Sequence, residues 1–350
     1  MRHNQKVSLS QGAKRRSAPR RGSGWLRFVR HDARYWAAVG LFLLTVWSAS
    51  VVHAADKIRA AKAVGIPWTF TLLDVGMEEG IFAKYGLDVS STDFAGDAKL
   101  HQGFIAGSID VALGSGPSMA LGAKSGAAIA VAAFAGAPRN LSIIVLPDSP
   151  IKKIGDLKGK LVGATTKGSL TEWLVQRLAQ EQGWGVDGIR MAELGAFDAT
   201  LAALKVEQVD AMVGALEAGY LLEDKGVAKV LTGLEGVAPD FITHVVFART
   251  DLVKSNPDLV NRFLKGVFAS IAFMKANKEK TTEIATKVLH QSPAVMSRTW
   301  DYEISMFEND GHFDPKAIAV MQQSFIDMDL SSDKIPADKL YTTQFLPVKP

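Results

Sequence analysis

Phe104-Ile105-Ala106-Gly107-Ser108-Ile109-Asp110-Val111-Ala112 reads as a helix end turning into a strand. One hundred residues further on, Leu204-Lys205-Val206-Glu207-Gln208-Val209-Asp210-Ala211-Met212 has the same shape. Each stretch follows a polar turn and a short helical run, near Gly96-Asp97 and near Phe197-Asp198. The echo falls at the same place in two successive series of alternating strands and helices. Such a chain points to two similar α/β lobes with a cleft between matching sheets.

Working outward, β-type runs recur on both sides of the echo. In the first series they are Ile58–Val64, Leu87–Ser90, Ile109–Leu113, Ile129–Phe134 and Leu141–Leu146. Pro147-Asp148-Ser149-Pro150 then breaks the pattern. A second series follows with Lys160–Ala164, Ile189–Leu194, Val209–Val213 and Lys229–Leu231, and His244–Ala248 reads as a return strand. Thereafter the chain turns helical. Asn256-Pro257 supplies a cap and a proline at the first helical position, and Val260, Leu264, Val267, Ile271 and Met274 recur on one face. The expected division is 55–146 and 245–350 in the first lobe, with 147–244 forming the second.

The N-terminal region reads as a targeting segment. An uncharged apolar run, Ala37 to Val52, follows ten Lys/Arg and leads into His53-Ala54-Ala55. That pattern is a signal peptide over residues 1–54, with Val52 and Ala54 as the small residues at the cleavage site. A retained membrane anchor is the alternative. Neither Arg15-Arg16 nor Arg20-Arg21 leads directly into apolar residues, so a twin-arginine route has little support. Removing the leader changes the charge. The whole chain has 40 basic and 36 acidic residues; without the ten Lys/Arg and Asp32 of the leader it has 30 and 35, a net of −5. No basic surplus remains to argue for nucleic acid. Cysteine is absent, which excludes disulfides, thiolate metal sites, a cysteine nucleophile and a lipidated N-terminal cysteine.

Ligands of open parallel sheets bind beyond the carboxyl ends of the strands, where loops enter helix N-termini. Two turns stand out there: Gly114-Ser115-Gly116-Pro117-Ser118 and Thr165-Thr166-Lys167-Gly168-Ser169. In the second, Ser169 and Glu172 have capping-box spacing. Glycine lets a ligand approach the backbone, while free N–H groups and the helix dipole favour an anion. The candidate contacts from these turns are Ser115, Gly116, Ser118, Thr166, Lys167, Gly168 and Ser169. Trp68 and Thr69 follow the first strand, where an indole would wall the cleft and offer one N–H. Asp97 is placed either to meet a ligand amine or to cap its helix, Glu217 follows a strand of the second lobe, and His244 sits at the lobe crossing. Facing helix N-termini suit a sulfonate, nitrate or carboxylate, whereas Trp68, Asp97 and Glu217 suit a cationic or heteroaromatic molecule.

Catalytic patterns are thin. His101, His244, His290 and His312 lack metal-ligand spacing, and no nucleophile elbow, Walker sequence or dinucleotide fingerprint occurs. The expectation is a protein without catalytic residues, metal or cofactor.

Several motifs carry a family resemblance across residues 58–277. They are Gly80-Ile81-Phe82-Ala83-Lys84-Tyr85-Gly86-Leu87-Asp88-Val89, Ala106–Ala112, Ile154–Gly163, Gly168-Ser169, Val209-Asp210-Ala211, and Ala248–Asp251 leading into Asn256-Pro257. In this order they resemble the periplasmic substrate-binding proteins of ABC importers, of the nitrate/sulfonate/taurine type that includes thiamine-precursor binders. The resemblance implies a type II periplasmic-binding-protein fold, with each lobe a mainly parallel sheet flanked by helices. It places two hinge crossovers near Leu146–Pro150 and Thr243–Ala248, and oxyanion-binding turns at Ser115-Gly116 and Gly168-Ser169. It also implies a periplasmic monomer that delivers a small ligand to a permease with its ATPase, touching the membrane only through the signal segment or the permease. Residues beyond about 290 match poorly and are expected to be peripheral helices. Two alternatives share the fold: a ligand-binding sensor, and a thiamine-pyrimidine-related enzyme, whose fungal form depends on a cysteine-rich stretch that this chain lacks.

Overall fold

The computed structural model describes residues 54–165 and 169–350. Residues 1–53 of the expected leader, and the candidate contacts Thr166, Lys167 and Gly168, lie outside the described residues. The strands are β1 (Asp56–Lys62), β2 (Leu87–Asp93), β3 (Val111–Ser115), β4 (Ala128–Ala135), β5 (Leu141–Val145), β6 (Leu161–Ala164), β7 (Arg190–Glu193), β8 (Ala211–Ala215), β9 (Lys229–Gly233) and β10 (His244–Arg249). The main helices are α1 (Thr71–Glu78), α2 (Asp97–Ile105), α3 (Met119–Ser125), α4 (Leu170–Glu181), α5 (Phe197–Lys205), α6 (Leu216–Asp224), α7 (Thr250–Ser255), α8 (Pro257–Ala276), α9 (Lys278–Leu289), α10 (Pro293–Glu303) and α11 (Pro315–Asp327).

Two five-stranded sheets result, ordered β2-β1-β3-β10-β4 and β7-β6-β8-β5-β9. In the first, β1 runs parallel to β2 and β3, and β10 is antiparallel to both of its neighbours. The second repeats this plan: β6 is parallel to β7 and β8, and β5 is antiparallel to β8 and β9. Each sheet is therefore mixed, with four strands pointing one way and a single reversed strand next to the edge.

The hundred-residue echo is structural. α2 enters β3 and α5 enters β8 with the same offset. An aspartate guards the neighbouring strand at each place: Asp110 accepts from the Arg59 N–H at 3.0 Å, and Asp210 accepts from the Leu161 N–H at 2.8 Å. Asp110 also pairs with the Arg59 and Arg249 side chains at 2.7 and 3.1 Å. Lys160 lies 3.5 Å from Asp210.

The first crossover differs from expectation. β5 pairs with β8 and β9, so the chain leaves the first sheet at residues 136–140 and not near Leu146–Pro150. Five residues containing a proline suffice for the passage. The apolar run 141–146 had looked continuous with the first series because a buried central strand has the same composition in either lobe. The return passage covers 234–243, and His244 opens a first-sheet strand. The expected lobe boundaries at 146 and 244 shift accordingly.

The C-terminal helices are not peripheral. Residues 307 and 341 bridge to Ala135 and Ala130 of β4. From this first-sheet side, α10 and α11 reach the second lobe: Arg298 meets Glu223 at 2.6 Å, and Trp173 Nε1 donates to Asp327 at 3.0 Å. Among the described residues, no helix is long and apolar enough to cross a membrane.

Candidate ligand site between the lobes

The loop after β1 brings Trp68 and Thr69 to the junction of the two sheets. Pro67 fixes an extended approach, and Trp68–Phe70 forms a tight turn leading into α1. Trp68 is buried, and its backbone N–H donates across the junction to Glu217 Oε1 at 3.1 Å. Glu217 stands in the first turn of α6, directly after β8. This bond joins the lobes at their strand ends, where the general rule for α/β sheets places ligands.

Around it lies a buried polar cluster with incomplete hydrogen bonding. Trp68 Nε1, Glu217 Oε2, Asn140 Oδ1 and both carboxyl oxygens of Glu303 have no protein partner. Glu303 is 0 % exposed and Glu217 1 %. A buried polar atom without a partner costs about 1–3 kcal/mol, and more if charged. Burial pushes the Glu217 carboxyl up to about 7, against the smaller opposing effect of hydrogen bonds from its own helix turn and from Trp68. Burial also raises Glu303 well above the usual carboxylate range, and the Glu217 charge adds to that rise.

His244 forms the other wall. Asn140 Nδ2 lies 3.0 Å from His244 Nε2 and Thr69 Oγ1 lies 3.4 Å from it. An amide NH₂ donates, so Nε2 accepts and the ring proton is assigned to Nδ1. Burial lowers the imidazole to about 3, which keeps it neutral. Phe70 and Phe134 flank the ring at 4.8 and 5.6 Å between centroids, and Phe307 links Phe134 to Trp68 at 6.4 and 5.7 Å. The wall is aromatic and continuous.

The first glycine/serine turn directs its donors into the fold. The Ser115 N–H and hydroxyl both donate to Asp97, at 3.0 and 2.7 Å. The Gly116 N–H donates to the Thr243 carbonyl, and the Ser118 N–H and hydroxyl return to the Ser115 carbonyl. Pro117 has no N–H. The donors that would cradle an anion are thus engaged within the fold, and Asp97 holds the turn. Gly116 is needed for packing: a Cβ there would lie 1.9 Å from the Ile242 carbonyl oxygen.

At the second turn, Ser169 caps α4 by accepting from the Glu172 N–H at 3.3 Å, the cap that the spacing predicts. Thr171 Oγ1 gathers Thr165 and Ser169 at 2.8 and 2.9 Å. The structure therefore brings Trp68, Thr69, Glu217 and His244 together, with Ser115, Gly116, Ser118 and Asp97 forming a supporting turn.

Sequence reasoning missed Asn140, Glu303, Phe134 and Phe307. Glu303 had a legible signal: Val295, Thr299 and Glu303 recur every four residues along a buried helical stripe. An acidic residue at such a position is worth singling out. Among the described residues, no group of three or more His/Asp/Glu is arranged to hold a metal ion.

Two sheets of matching plan, with a polar cluster where they meet, define the architecture of the periplasmic binding proteins. The chain belongs to the NMT1/THI5-like family, whose model matches residues 69–281. In structure it is similar to the periplasmic aliphatic sulphonate binding protein SsuA from Escherichia coli, with a TM-score of 0.71 and 19% identity over 82% of this chain and 92% of that one. The desulfurization enzyme DszB shares the fold at a TM-score of 0.61 and 15% identity, over 83% of this chain and 97% of that one. A Brucella abortus (strain 2308) protein is 22% identical over 228 residues, 63% of this chain and 68% of its own, and its description goes no further than a binding protein.

Proposed function

We propose that the protein is the solute-binding component of an ABC importer, working as a periplasmic monomer once residues 1–54 are removed. It captures a small solute between lobes 55–140/244–350 and 141–243, then presents the closed form to a membrane permease and its ATPase. The observation that carries this reading is the Trp68–Glu217 bond, which ties the lobes together inside a cluster of buried, unpartnered polar atoms. A solute that supplies those partners favours the closed form by its differential affinity, which is the basis of hinge closure. No covalent step is invoked, and the lobes serve capture and release. The ligands of similar proteins motivate a first test panel of nitrate, taurine, alkylsulfonates, aromatic carboxylates and thiamine-precursor pyrimidines.

The test is thermal unfolding of purified protein against that panel, extended with ethanolamine, argininamide and benzamidine. A solute at 100 times its dissociation constant stabilises the fold by about 2.7 kcal/mol, a readily visible upward shift. Loss of the shift in Trp68→Ala would place the solute at the lobe junction. No shift from any solute, on protein freed of bound ligand by unfolding and refolding, would overturn the reading.

A further inference from the structure

We propose that the site takes a compact organic cation, a protonated amine or amidinium carrying several N–H donors and one acceptor atom, held between the carboxyl groups of Glu217 and Glu303. This rests on the solute-binding reading and sets the charge of its ligand. Three observations carry it. First, most of the unpartnered atoms of the cluster are carboxyl and amide oxygens, Glu217 Oε2, both oxygens of Glu303 and Asn140 Oδ1, and all of them accept once the pair gives up its proton. Second, the donors of the first glycine/serine turn, which a bare oxyanion would need, are engaged by Asp97, Thr243 and the Ser115 carbonyl. Third, Trp68 is 0 % exposed, bonds Glu217 through its backbone, and leaves its indole Nε1 unpartnered, which matches the ligand's acceptor atom.

The charged neighbours leave the two carboxyl groups uncompensated. On α6, Glu223 pairs with Arg298 of α10, whose guanidinium also lies 3.6 Å from the Tyr220 ring centroid. Arg139 sits over the Tyr302 ring and donates to the Tyr302 carbonyl, while the Tyr302 hydroxyl meets Glu235. Lys278 pairs with Asp301 at 2.5 Å. His244 is neutral. The arginines and lysine of this region therefore have other partners. A cation entering between Glu217 and Glu303 supplies the missing charge and N–H groups together, and displaces a proton that the pair otherwise retains. A sulfonate placed there would face two acidic groups.

The experiment is thermal unfolding and calorimetry of the purified protein with ethanolamine, argininamide and benzamidine as cations, and taurine and ethanesulfonate as sulfonated counterparts. Wild type, Glu217→Gln, Glu303→Gln and the double variant are compared. A cation should raise the wild-type melting temperature, with the shift lost in Glu303→Gln. Ligand-free Glu303→Gln should melt close to wild type, because burial already keeps this carboxyl protonated and Gln is its neutral counterpart in shape. Cation affinity should weaken about tenfold per pH unit as the pair takes up its proton, with proton release seen in buffers of different ionisation enthalpy. A shift from taurine or ethanesulfonate that survives in the double variant would overturn the cation assignment and leave the solute-binding reading intact. Cations that leave every melting curve unmoved overturn the assignment, and if every other solute also fails, the wider reading falls with it. A lower melting temperature for ligand-free Glu303→Gln would make the pair structural and overturn the assignment as well.

Discussion

At the residue scale, Glu217 and His244 impose opposite pH dependences on stability. The Glu217 carboxyl, raised from 4.5 to about 7, holds a proton in the folded state that the unfolded chain has already released. Its contribution is present below pH 4.5 and is lost as pH rises through 7, on the order of 3 kcal/mol at about 1.4 kcal/mol per unit. His244, lowered from 6.5 to about 3, works in the other direction. Its contribution is complete above pH 6.5 and is lost as pH falls towards 3. Urea unfolding between pH 4.5 and 8 should therefore show Glu217→Gln losing its own share of the decline on the alkaline side, the remainder coming from Glu303, while the acid side is unchanged. A variant curve parallel to wild type would show that Glu217 titrates normally. Gly116 makes a steric prediction. Its missing Cβ would lie 1.9 Å from a backbone oxygen, which cannot swing aside as a side chain can. Gly116→Ala should cost about 1–3 kcal/mol or more in thermal unfolding, the range for overpacking.

At the scale of elements, the sequence was legible where chemistry is local. Alternation and turn residues located nine of the ten described strands to within two residues at each end, with β2 running three residues beyond Ser90, and Asn256-Pro257 opens α8 with the predicted cap, Asn256 accepting from the Leu259 N–H at 3.2 Å. Lobe membership was harder to read. β5 is a buried apolar run, and nothing in Leu141–Val145 distinguishes a strand of one sheet from a strand of the other. The site was half legible for a related reason. Trp68, Glu217 and His244 sit beside strand ends and can be found from topology, but Asn140 and Glu303 arrive from a crossover and a C-terminal helix, through contacts distant in sequence. Whether a serine turn offers its donors to a ligand or to Asp97 is likewise decided in three dimensions. Two measurements probe the repeated element. Ser169→Ala should cost about 1 kcal/mol through loss of the α4 cap. Asp110→Ala should cost about 1.5–3 kcal/mol, more than Asp210→Ala, because Asp110 holds two arginines as well as a backbone N–H.

At the scale of the whole molecule, a few polar contacts tie the lobes: Trp68 to Glu217, Trp173 to Asp327, Arg298 to Glu223, and Lys316 to Asp240 at 2.7 Å. Trp173 stacks on Phe241 of the return crossover, so its indole couples α4 to the passage between lobes as well as to α11. Removing one hydrogen bond worth about 1 kcal/mol changes a closed-to-open ratio by about fivefold. Asp327→Ala should accordingly increase the radius of gyration in solution scattering, with ligand restoring the wild-type value. An unchanged radius would mean that this contact does not hold the lobes.

The order of strands also sets a timetable. β10 lies between β3 and β4, yet it follows the whole of the second sheet along the chain. A polypeptide emerging from its N-terminus therefore presents Ala-Ile-Ala-Val-Ala-Ala-Phe-Ala, residues 128–135, more than a hundred residues before its antiparallel neighbour exists. Through that interval the apolar strand has no sheet to join, while the contiguous segment 141–233 already holds every strand of its own sheet. Completion of the first sheet is thus deferred until synthesis has passed residue 249, whereas the second sheet has all its strands by residue 233. The strand order that joins the finished lobes by two passages therefore also makes the first lobe the later of the two to close.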